Sequence, residues 1–227
     1  MRRAAALPVL LLLAGCTASA HRPPPVPVVV TLGDSVPAGT ACGCEPFPAQ
    51  YARAQHAIDV NLAEAGYTAA DVLAQMPADT PALANAAEVV IMVGANDLAT
   101  AFADEDPYAP AAATMRADVV ATITAIERIR PVPVIVLGYW NVVLDGQVGA
   151  QMYGPAGMRD AAEATRYANE ALQAAARQAG AQFVPTAPAF HGTGGQQDAT
   201  ALLASDGDHP NAAGHAAIAA LLPPLAD

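Results

Sequence analysis

Five short apolar runs recur along the chain and are separated by longer stretches with helical character. The runs are continuous rather than alternating, which is typical of strands that are buried on both faces of a sheet. They fall at residues 26–32, 57–62, 87–93, 132–138 and 181–185. Strands that alternate with helices indicate βαβ units, and therefore a parallel sheet with helices on both faces.

Helices are predicted between these strands and after the last one. Strong helix formers fill residues 157–179, and Gly180 follows them at a position where helices commonly end. Pro210 and Asn211 are typical of a helix start, which places a final helix at 211–222. The other predicted helical stretches are residues 46–56, 69–86 and 108–130.

One long segment, residues 139–156, fits neither pattern. Loops of this length inside a compact domain usually have a function. We therefore expect an irregular loop that forms a wall of a pocket beside the strand ends.

The first sixteen residues are interpreted as a targeting segment. Two arginines precede an apolar stretch that is too short to span a bilayer comfortably. The letters LAGC resemble the bacterial lipobox, in which the signal is removed before a cysteine that then carries lipid. This predicts a signal peptide over 1–15, a lipidated Cys16 with a proline-rich spacer over 16–27, and one domain over 28–227, held at the extracytoplasmic face of the cell membrane. A plain secretory signal with an incidental cysteine is the alternative.

Composition and charge exclude several classes of function. Of the 227 residues, 54% are hydrophobic and 14% are charged, which favours a packed domain over a disordered chain. The formal net charge of −11 argues against a nucleic-acid partner, because few basic side chains are present to neutralise phosphates. No set of histidine and acidic residues has metal-ligand spacing, so no metal is expected.

Two further cysteines, Cys42 and Cys44, are separated by a glycine. Exported proteins rarely keep two exposed thiols, and an extended Cys-Gly-Cys segment can bring the Cα atoms within disulfide range. With no histidine nearby in the sequence, the pair makes a poor zinc site. We expect a local disulfide that stiffens the loop after Ser35.

The first apolar run ends on Gly33, Asp34 and Ser35. Glycine permits a sharp turn there, and Pro37 is expected to prevent a regular helix from starting at once. Ser35 then lies at the carboxyl end of a strand, where open α/β sheets bind ligands. A strand followed by an ordinary polar turn is the simpler interpretation of these three residues taken alone.

A second polar cluster, at residues 205–211, contains Asp206, Asp208 and His209. A serine nucleophile needs a base, and the base needs a carboxylate that orients it. The spacing lets Asp206 fold back onto Nδ1 of His209, which leaves Nε2 to face Ser35. Asp208 is adjacent to the histidine and is expected to point away from it. A surface turn that caps the last helix is the alternative interpretation.

Two further strand ends offer donors for the oxyanion that develops in acyl transfer. Gly66 follows the second strand, where its backbone N–H can approach a substrate closely, and Asn96 follows the third strand with a side-chain amide. Each residue alone also fits an ordinary turn. Four polar positions that follow four segments of one apolar sheet are rarely arranged by chance.

In chain order, these blocks resemble those of the SGNH hydrolases, also called the GDSL esterase/lipase family. GDSV matches the block of the catalytic serine, and NLAEAG, GAND and DGDHPN match those of the oxyanion glycine, the oxyanion asparagine and the catalytic histidine. The resemblance runs from about residue 28 to residue 222, with valine in place of the leucine of the GDSL label. It implies a three-layer α/β/α, flavodoxin-like fold with five parallel strands in the order 2-1-3-4-5.

The resemblance also implies a serine esterase that needs no cofactor. Ser35 would attack the ester, His209 would move the proton, and Asp206 would orient His209. Ser35, Gly66 and Asn96 would hold the oxyanion. The expected partners are a small-molecule, glycan or lipid ester and the membrane that holds the lipid anchor, and the protein is expected to be a monomer. The alternatives are an acyltransferase on cell-surface glycans or lipids and a non-catalytic glycan-binding lipoprotein.

The remaining polar residues are given ordinary roles. Asp34 is expected to be a structural hydrogen-bonding residue rather than a second acid. His56 and His215 are expected at the surface or in caps, and His191 in a flexible loop that could edge the pocket. Residues 104–106 are expected to form a solvated cluster of charges.

Overall fold

A parallel sheet of five strands lies at the centre of the computed structural model, which describes residues 25–226. The predicted signal peptide and Cys16 lie outside the described residues. The strands are β1 (Val28–Gly33), β2 (Ile58–Asn61), β3 (Glu88–Met92), β4 (Val134–Leu137) and β5 (Gln182–Val184). Their order, 2-1-3-4-5, confirms the topology and all five strands predicted from the sequence.

Helices cover both faces of this sheet. They are α1 (Ser35–Ala38), α2 (Phe47–Ala54), α3 (Ala69–Leu83), α4 (Ala95–Ala103), α5 (Tyr108–Ile129), α6 (Gly146–Gln178), α7 (Ala187–His191) and α8 (Ala212–Ala219), with a 3₁₀ helix at Ala199–Leu202. Helices α2 and α8 pack together on one face, and α5 packs between α3 and α6 on the other. This is the expected three-layer α/β/α arrangement. No helix within the described residues is both long and apolar enough to cross a membrane.

The hydrophobic core is centred on the inner strands. Every residue of β3 and β4 is buried, because helices cover both faces of the sheet. Burial on both faces explains why these strands are continuous apolar runs in the sequence. Removing one such valine or isoleucine side chain from water contributes roughly 1.5–3 kcal/mol to folding. The edge strand β2 is only partly buried.

The end of β1 is held tightly against the end of β3. Gly33 pairs in register with Met92, and a Cβ atom at Gly33 would lie 2.1 Å from the Met92 carbonyl oxygen. Only glycine permits this approach without a shift of the backbone. The next residue, Asp34, donates its backbone N–H to the same carbonyl oxygen at 3.1 Å. These contacts fix the point at which Ser35 leaves the sheet.

Helix α1 begins at Ser35, so the expectation that Pro37 prevents an immediate helix start is wrong. Pro37 is the third residue of the helix. A proline is tolerated in the first turn because its missing N–H would have no acceptor inside the helix. The Asp34 side chain caps the helix by accepting the backbone N–H of Val36 at 3.1 Å.

The segment 139–156 is only partly irregular, which corrects the second expectation. Helix α6 begins at Gly146, whose N–H is accepted by the Asp145 side chain at 2.7 Å. The helix is interrupted at Gly154, with φ +62° and ψ −177°, and Pro155 starts its second part. Proline suits the first position of a helix, so the interruption is a junction between two helical sections. Because glycine and proline are poor helix formers, the sequence pattern does not predict the first helical section.

Candidate active site

A cavity of about 410 Å³ opens at the carboxyl ends of the strands. Ser35, Asn96 and His209 all line it, although they follow different segments of the chain. Parallel strands end at one edge of the sheet, which is why residues so far apart in sequence meet there. Neither Asp206 nor Gly66 is among the residues that line the cavity.

Ser35 is the first residue of α1 and is half-buried. The first N–H groups of a helix have no intrahelical acceptor, so the Ser35 N–H can bind a negatively charged oxygen. The Val36 N–H is already bonded to Asp34. Ser35 therefore offers the cavity both a hydroxyl group and a backbone donor.

Asp34 lies behind Ser35 and is fully buried. Its carboxyl group accepts the Val36 N–H and the hydroxyl of Tyr139, a residue of the segment that follows β4. Burial raises the pKa of Asp34 to about 7, although both hydrogen bonds act in the opposite direction. These contacts agree with the structural role expected for Asp34.

The turn at residues 205–211 brings Asp206 onto His209. Nδ1 of His209 lies 2.8 Å from Oδ2 of Asp206, and Oδ1 of Asp206 accepts the backbone N–H groups of Asp208 and His209 at 3.1 Å each. The Asp208 carboxylate is more distant, at 3.9 Å from the same ring nitrogen. Because an ionised carboxylate can only accept, the imidazole proton lies on Nδ1 and Nε2 keeps its lone pair.

The glycine between the two aspartates is required by both its conformation and its surroundings. Gly207 has a φ of +74°, and a Cβ atom there would lie 2.4 Å from Cβ of Val148. A larger residue would push the turn away from α6. Gly207 therefore sets the shape that folds Asp206 back onto His209.

The two aspartates differ in their electrostatic environment. Partial burial acts to raise the pKa of Asp206, but the His209 ring and the two backbone N–H groups outweigh it, so the pKa lies below its usual value. Burial raises the pKa of Asp208, with the Asp206 charge acting in the same direction and His209 opposing it. The carboxylate that touches the imidazole is therefore the one that holds its charge more firmly.

Asn96 is the second residue of α4 and is partly buried. Its Nδ2 donates to the Tyr67 carbonyl at 2.8 Å, which joins the loop after β2 to the helix after β3. A side-chain amide carries two hydrogens. One is used by Tyr67, so the second can bind an oxygen atom in the cavity.

Gly66 is exposed and precedes Tyr67. Its φ of +87° favours glycine, whereas a Cβ atom would meet nothing within 4 Å. The need for glycine is therefore conformational rather than steric. The structure places Gly66 one residue from the Asn96–Tyr67 contact, outside the cavity wall.

Asp145 supports the histidine turn through its backbone and pairs with His191 through its side chain. The Asp145 N–H donates to the Gly207 carbonyl at 2.7 Å, and Oδ2 of Asp145 lies 3.1 Å from Nε2 of His191. The hydrogen bond to Asp145 raises the pKa of His191 to about 8, although burial opposes it. His191 ends helix α7 and does not line the Ser35 cavity, so the expectation of a flexible loop at the pocket edge is wrong.

The walls of the cavity are mostly apolar. Residues 139–144 form one side, which agrees with the wall predicted for this segment. Trp140 stacks on Phe190 with ring centroids 4.0 Å apart, and this stacking supports the wall from behind. Further lining residues are Tyr153 of α6 and, from α4, Ala99, Phe102 and Ala103 among others. Residues 104–106, just beyond α4, are exposed as expected.

Of the two histidines expected at the surface or in caps, His56 and His215, the structure places only the first at the surface. His56 is exposed, but His215 is fully buried in α8, and its Nδ1 accepts the Phe47 N–H at 3.2 Å.

A ring nitrogen of His215 and the sulfur atoms of Cys42 and Cys44 lie within 4.8 Å of one another. The packing of α2 on α8 brings them together, so a histidine does lie near the cysteines. The cysteines form a disulfide with a Cα–Cα distance of 5.0 Å.

Comparison with known proteins agrees with the fold and identifies the family. The model of the GDSL-like lipase/acylhydrolase family matches residues 31–217. No curated protein sequence matches the chain.

Three solved structures of similar fold have low sequence identity to this chain. A lipase from a goat rumen metagenome aligns with a TM-score of 0.66 at 17% identity, over 86% of this chain and 95% of its own. An extracellular lipase from Streptomyces rimosus gives 0.63 at 21%, over 87% and 100%. An acetylxylan esterase from Geobacillus stearothermophilus, in a catalytic-mutant form, gives 0.63 at 19%, over 86% and 91%. At such low identities, the structural alignments show a shared fold and nothing finer.

The burial of Asp34 predicts how the variant Asp34→Asn responds to pH. The unfolded chain releases this proton near the ordinary pKa of 3.8, whereas the folded protein holds it to about 7. The contribution of Asp34 to the free energy of unfolding therefore falls as pH rises between these values. Asparagine does not titrate. The free energy of unfolding of the variant, relative to that of the wild type, should therefore rise by up to a few kcal/mol over this interval. Urea denaturation of both proteins at several pH values measures the difference, and parallel curves would contradict it.

Proposed function

Because the chain belongs to the GDSL-like lipase/acylhydrolase family, we propose that it is an exported serine esterase, which hydrolyses carboxylic esters through an acyl-enzyme. The observation that carries this proposal is the hydrogen bond between Nδ1 of His209 and Oδ2 of Asp206, at 2.8 Å, beside the cavity that Ser35 lines. A base that is oriented by a carboxylate and shares a cavity with a serine hydroxyl is the arrangement that nucleophilic catalysis needs.

The reaction takes two steps. In the first, Oγ of Ser35 attacks the ester carbonyl while Nε2 of His209 takes the hydroxyl proton, and His209 then gives that proton to the leaving alcohol. In the second, His209 takes a proton from water, which attacks the acyl-enzyme and releases the acid. Asp206 keeps the ring in the Nδ1–H tautomer and stabilises the imidazolium that forms in each step.

Three donors are proposed to hold the oxyanion: the N–H groups of Ser35 and Gly66 and the side-chain amide of Asn96. Ser35 and Asn96 line the cavity, whereas Gly66 lies outside its wall, next to Tyr67, whose carbonyl accepts from Asn96. Donors that are fixed before the reaction stabilise the developing charge without reorganisation.

The apolar walls support an ester whose acyl group is apolar. Ala99, Phe102 and Val142 face the same cavity as Ser35, and they offer few polar partners for a hydrophilic acyl group. Packing an acyl chain against such walls makes the free energy of binding more favourable, in proportion to the apolar area removed from water. Ester hydrolysis with a panel of acyl lengths tests this part of the proposal directly.

Ser35→Ala should abolish ester hydrolysis and covalent labelling by a fluorophosphonate probe, while the circular dichroism spectrum stays unchanged. Ser205→Ala is the matched control, because Ser205 is exposed and lies next to Asp206. The control should label and turn over as the wild type does. Labelling of a folded Ser35→Ala protein would assign the nucleophile elsewhere.

Asp206→Asn should lower kcat far more than Asp208→Asn, by at least roughly tenfold in the ratio. A carboxylate that orients the histidine is worth about 10⁴-fold in kcat in enzymes with a Ser-His-Asp triad. Asp206 lies 2.8 Å from the ring nitrogen and Asp208 3.9 Å, so only the first variant removes the hydrogen bond. Steady-state kinetics on one soluble ester compare the two. If Asp208→Asn had the lower kcat, Asp208 rather than Asp206 would be the residue that orients His209.

Asn96→Ala should lower kcat on the order of 10²–10³-fold with a smaller change in KM, because one oxyanion donor is lost. Asn85→Ala is a suitable control, since Asn85 is exposed and its side chain bonds to Pro81. Initial rates over a range of ester concentrations separate the two constants. A near-normal kcat in Asn96→Ala would remove this amide from the oxyanion site.

Export and lipid attachment at Cys16 form a separate part of the proposal, supported by the LAGC letters. The full-length protein should partition with membranes and incorporate radiolabelled palmitate, and Cys16→Ser should lose both properties. Inhibition of the lipoprotein signal peptidase should leave the wild type as precursor. Full processing in the presence of the inhibitor would contradict lipid attachment.

A further inference from the structure

A buried histidine and a disulfide lie together between helices α2 and α8. A ring nitrogen of His215 and the sulfur atoms of Cys42 and Cys44 are within 4.8 Å of one another. The histidine is fully buried, whereas both cysteines are partly exposed. Small thiols in solution can therefore approach the sulfur atoms from outside, while a ring nitrogen of His215 lies near them on the buried side.

The tautomer of His215 follows from its one hydrogen bond. Nδ1 accepts the backbone N–H of Phe47, so the single proton of the neutral ring lies on Nε2. Burial lowers the pKa of His215 to about 4, with the charge of His209 acting in the same direction, so the ring is neutral near pH 7. Among the described residues, Nε2 is buried without a hydrogen-bond partner. Because Nδ1 is occupied, Nε2–H is the one donor that the ring has left for a nearby sulfur atom.

A buried donor without an acceptor is unfavourable, and the sulfur atoms of a disulfide accept weakly. A thiolate is a much better acceptor, because hydrogen bonds to charged groups are stronger than neutral ones. Reduction of the disulfide would therefore supply the acceptor that Nε2–H lacks. The Glu45 carbonyl oxygen lies 3.6 Å from Sγ of Cys44 and could accept a proton that stays on that sulfur.

The bridge also contributes little to the stability of the fold. The loss of unfolded-state entropy on cross-linking grows with the length of the closed loop, and here the two cysteines are only two residues apart. Opening such a short loop adds little conformational entropy to the unfolded chain. The domain can therefore stay folded in both redox states.

From these observations, we propose that Cys42 and Cys44 form a reversible thiol–disulfide exchange site, in which Nε2–H of His215 stabilises the thiolate of the reduced form. The co-reactant is a thiol, either a small molecule or an exposed cysteine of another protein. This role is independent of ester hydrolysis.

The exchange is balanced in atoms and electrons. An external thiolate attacks one sulfur, forms a mixed disulfide and releases the other cysteine as a thiolate, to which His215 donates. A second external thiolate then attacks the external sulfur of the mixed disulfide, which frees the remaining cysteine. One protein disulfide and two thiols become one protein dithiol and one external disulfide, and two electrons pass to the protein.

The same tautomer argues against a metal at this cluster. A metal ligand must offer a lone pair, and in the observed arrangement the Nδ1 lone pair accepts from Phe47 while Nε2 carries the proton. Binding through either nitrogen would break the Phe47 hydrogen bond or require an anionic ring. Thiol chemistry needs neither change.

The test is equilibration of the folded protein with reduced and oxidised glutathione at neutral pH, followed by trapping with a maleimide and mass spectrometry. The wild type should reach a mixture of dithiol and disulfide. His215→Phe, which keeps a ring but removes Nε2–H, should shift the equilibrium toward the disulfide by about tenfold. His56→Phe, at an exposed histidine, should match the wild type.

Two results would overturn the proposal: a wild-type disulfide that resists excess glutathione, or equal equilibria for the wild type and a folded His215→Phe. If that variant does not fold, nuclear magnetic resonance of wild-type protein labelled with ¹⁵N-histidine decides. His215 should show the Nε2–H tautomer, and the Nε2–H proton should move downfield on reduction. The Nδ1–H tautomer, or an unchanged resonance, would overturn the proposal.

Discussion

The carboxyl group of Asp34 joins the parts of the chain on which the site depends. It is buried where β1 ends, and it holds the first turn of α1 through Val36 and the segment after β4 through Tyr139. Water cannot take over either hydrogen bond at a fully buried position, so the loss of one would leave an unpaired polar group. Ser35 therefore projects into the cavity from a backbone that is fixed on three sides.

The histidine half of the site is built differently, from a turn that is supported by its neighbours. Asp145 holds the Gly207 carbonyl from one side, and Asn211 caps α8 on the other by accepting the N–H groups of Ala213 and Gly214. His209 lies between these two anchors. Each half of the site therefore lies at the start of a helix. The residue that caps the helix is close in sequence to the reactive residue: Asp34 to Ser35 at α1, and Asn211 to His209 at α8. The cavity forms where the two halves meet.

The sequence predicts the strands well and the supporting contacts poorly, for physical reasons. Continuous apolar runs locate buried strands, and the three-residue spacing of Asp206 and His209 predicts a local hydrogen bond, because both signals depend on neighbours in the chain. The Asp145–His191 pair and the burial of His215 depend on packing between distant segments, which leaves no local pattern. Helix α4 was missed as well, because its cap, Gly94, offers no side-chain hydrogen bond and reads as an ordinary turn glycine.

Burial distributes charge around the site in a way that suits one base. Three aspartates lie near the imidazole in an acidic chain, yet burial raises the pKa of Asp34 and of Asp208, which weakens the hold of both on their charge. Of these three, only Asp206 has a pKa below its usual value, because the ring and two backbone N–H groups donate to it. The carboxylate that contacts Nδ1 of His209 is thus the one of the three whose surroundings favour its charged form. An imidazolium that forms during a reaction would meet its counter-charge there, in a fixed position and without rearrangement of the turn.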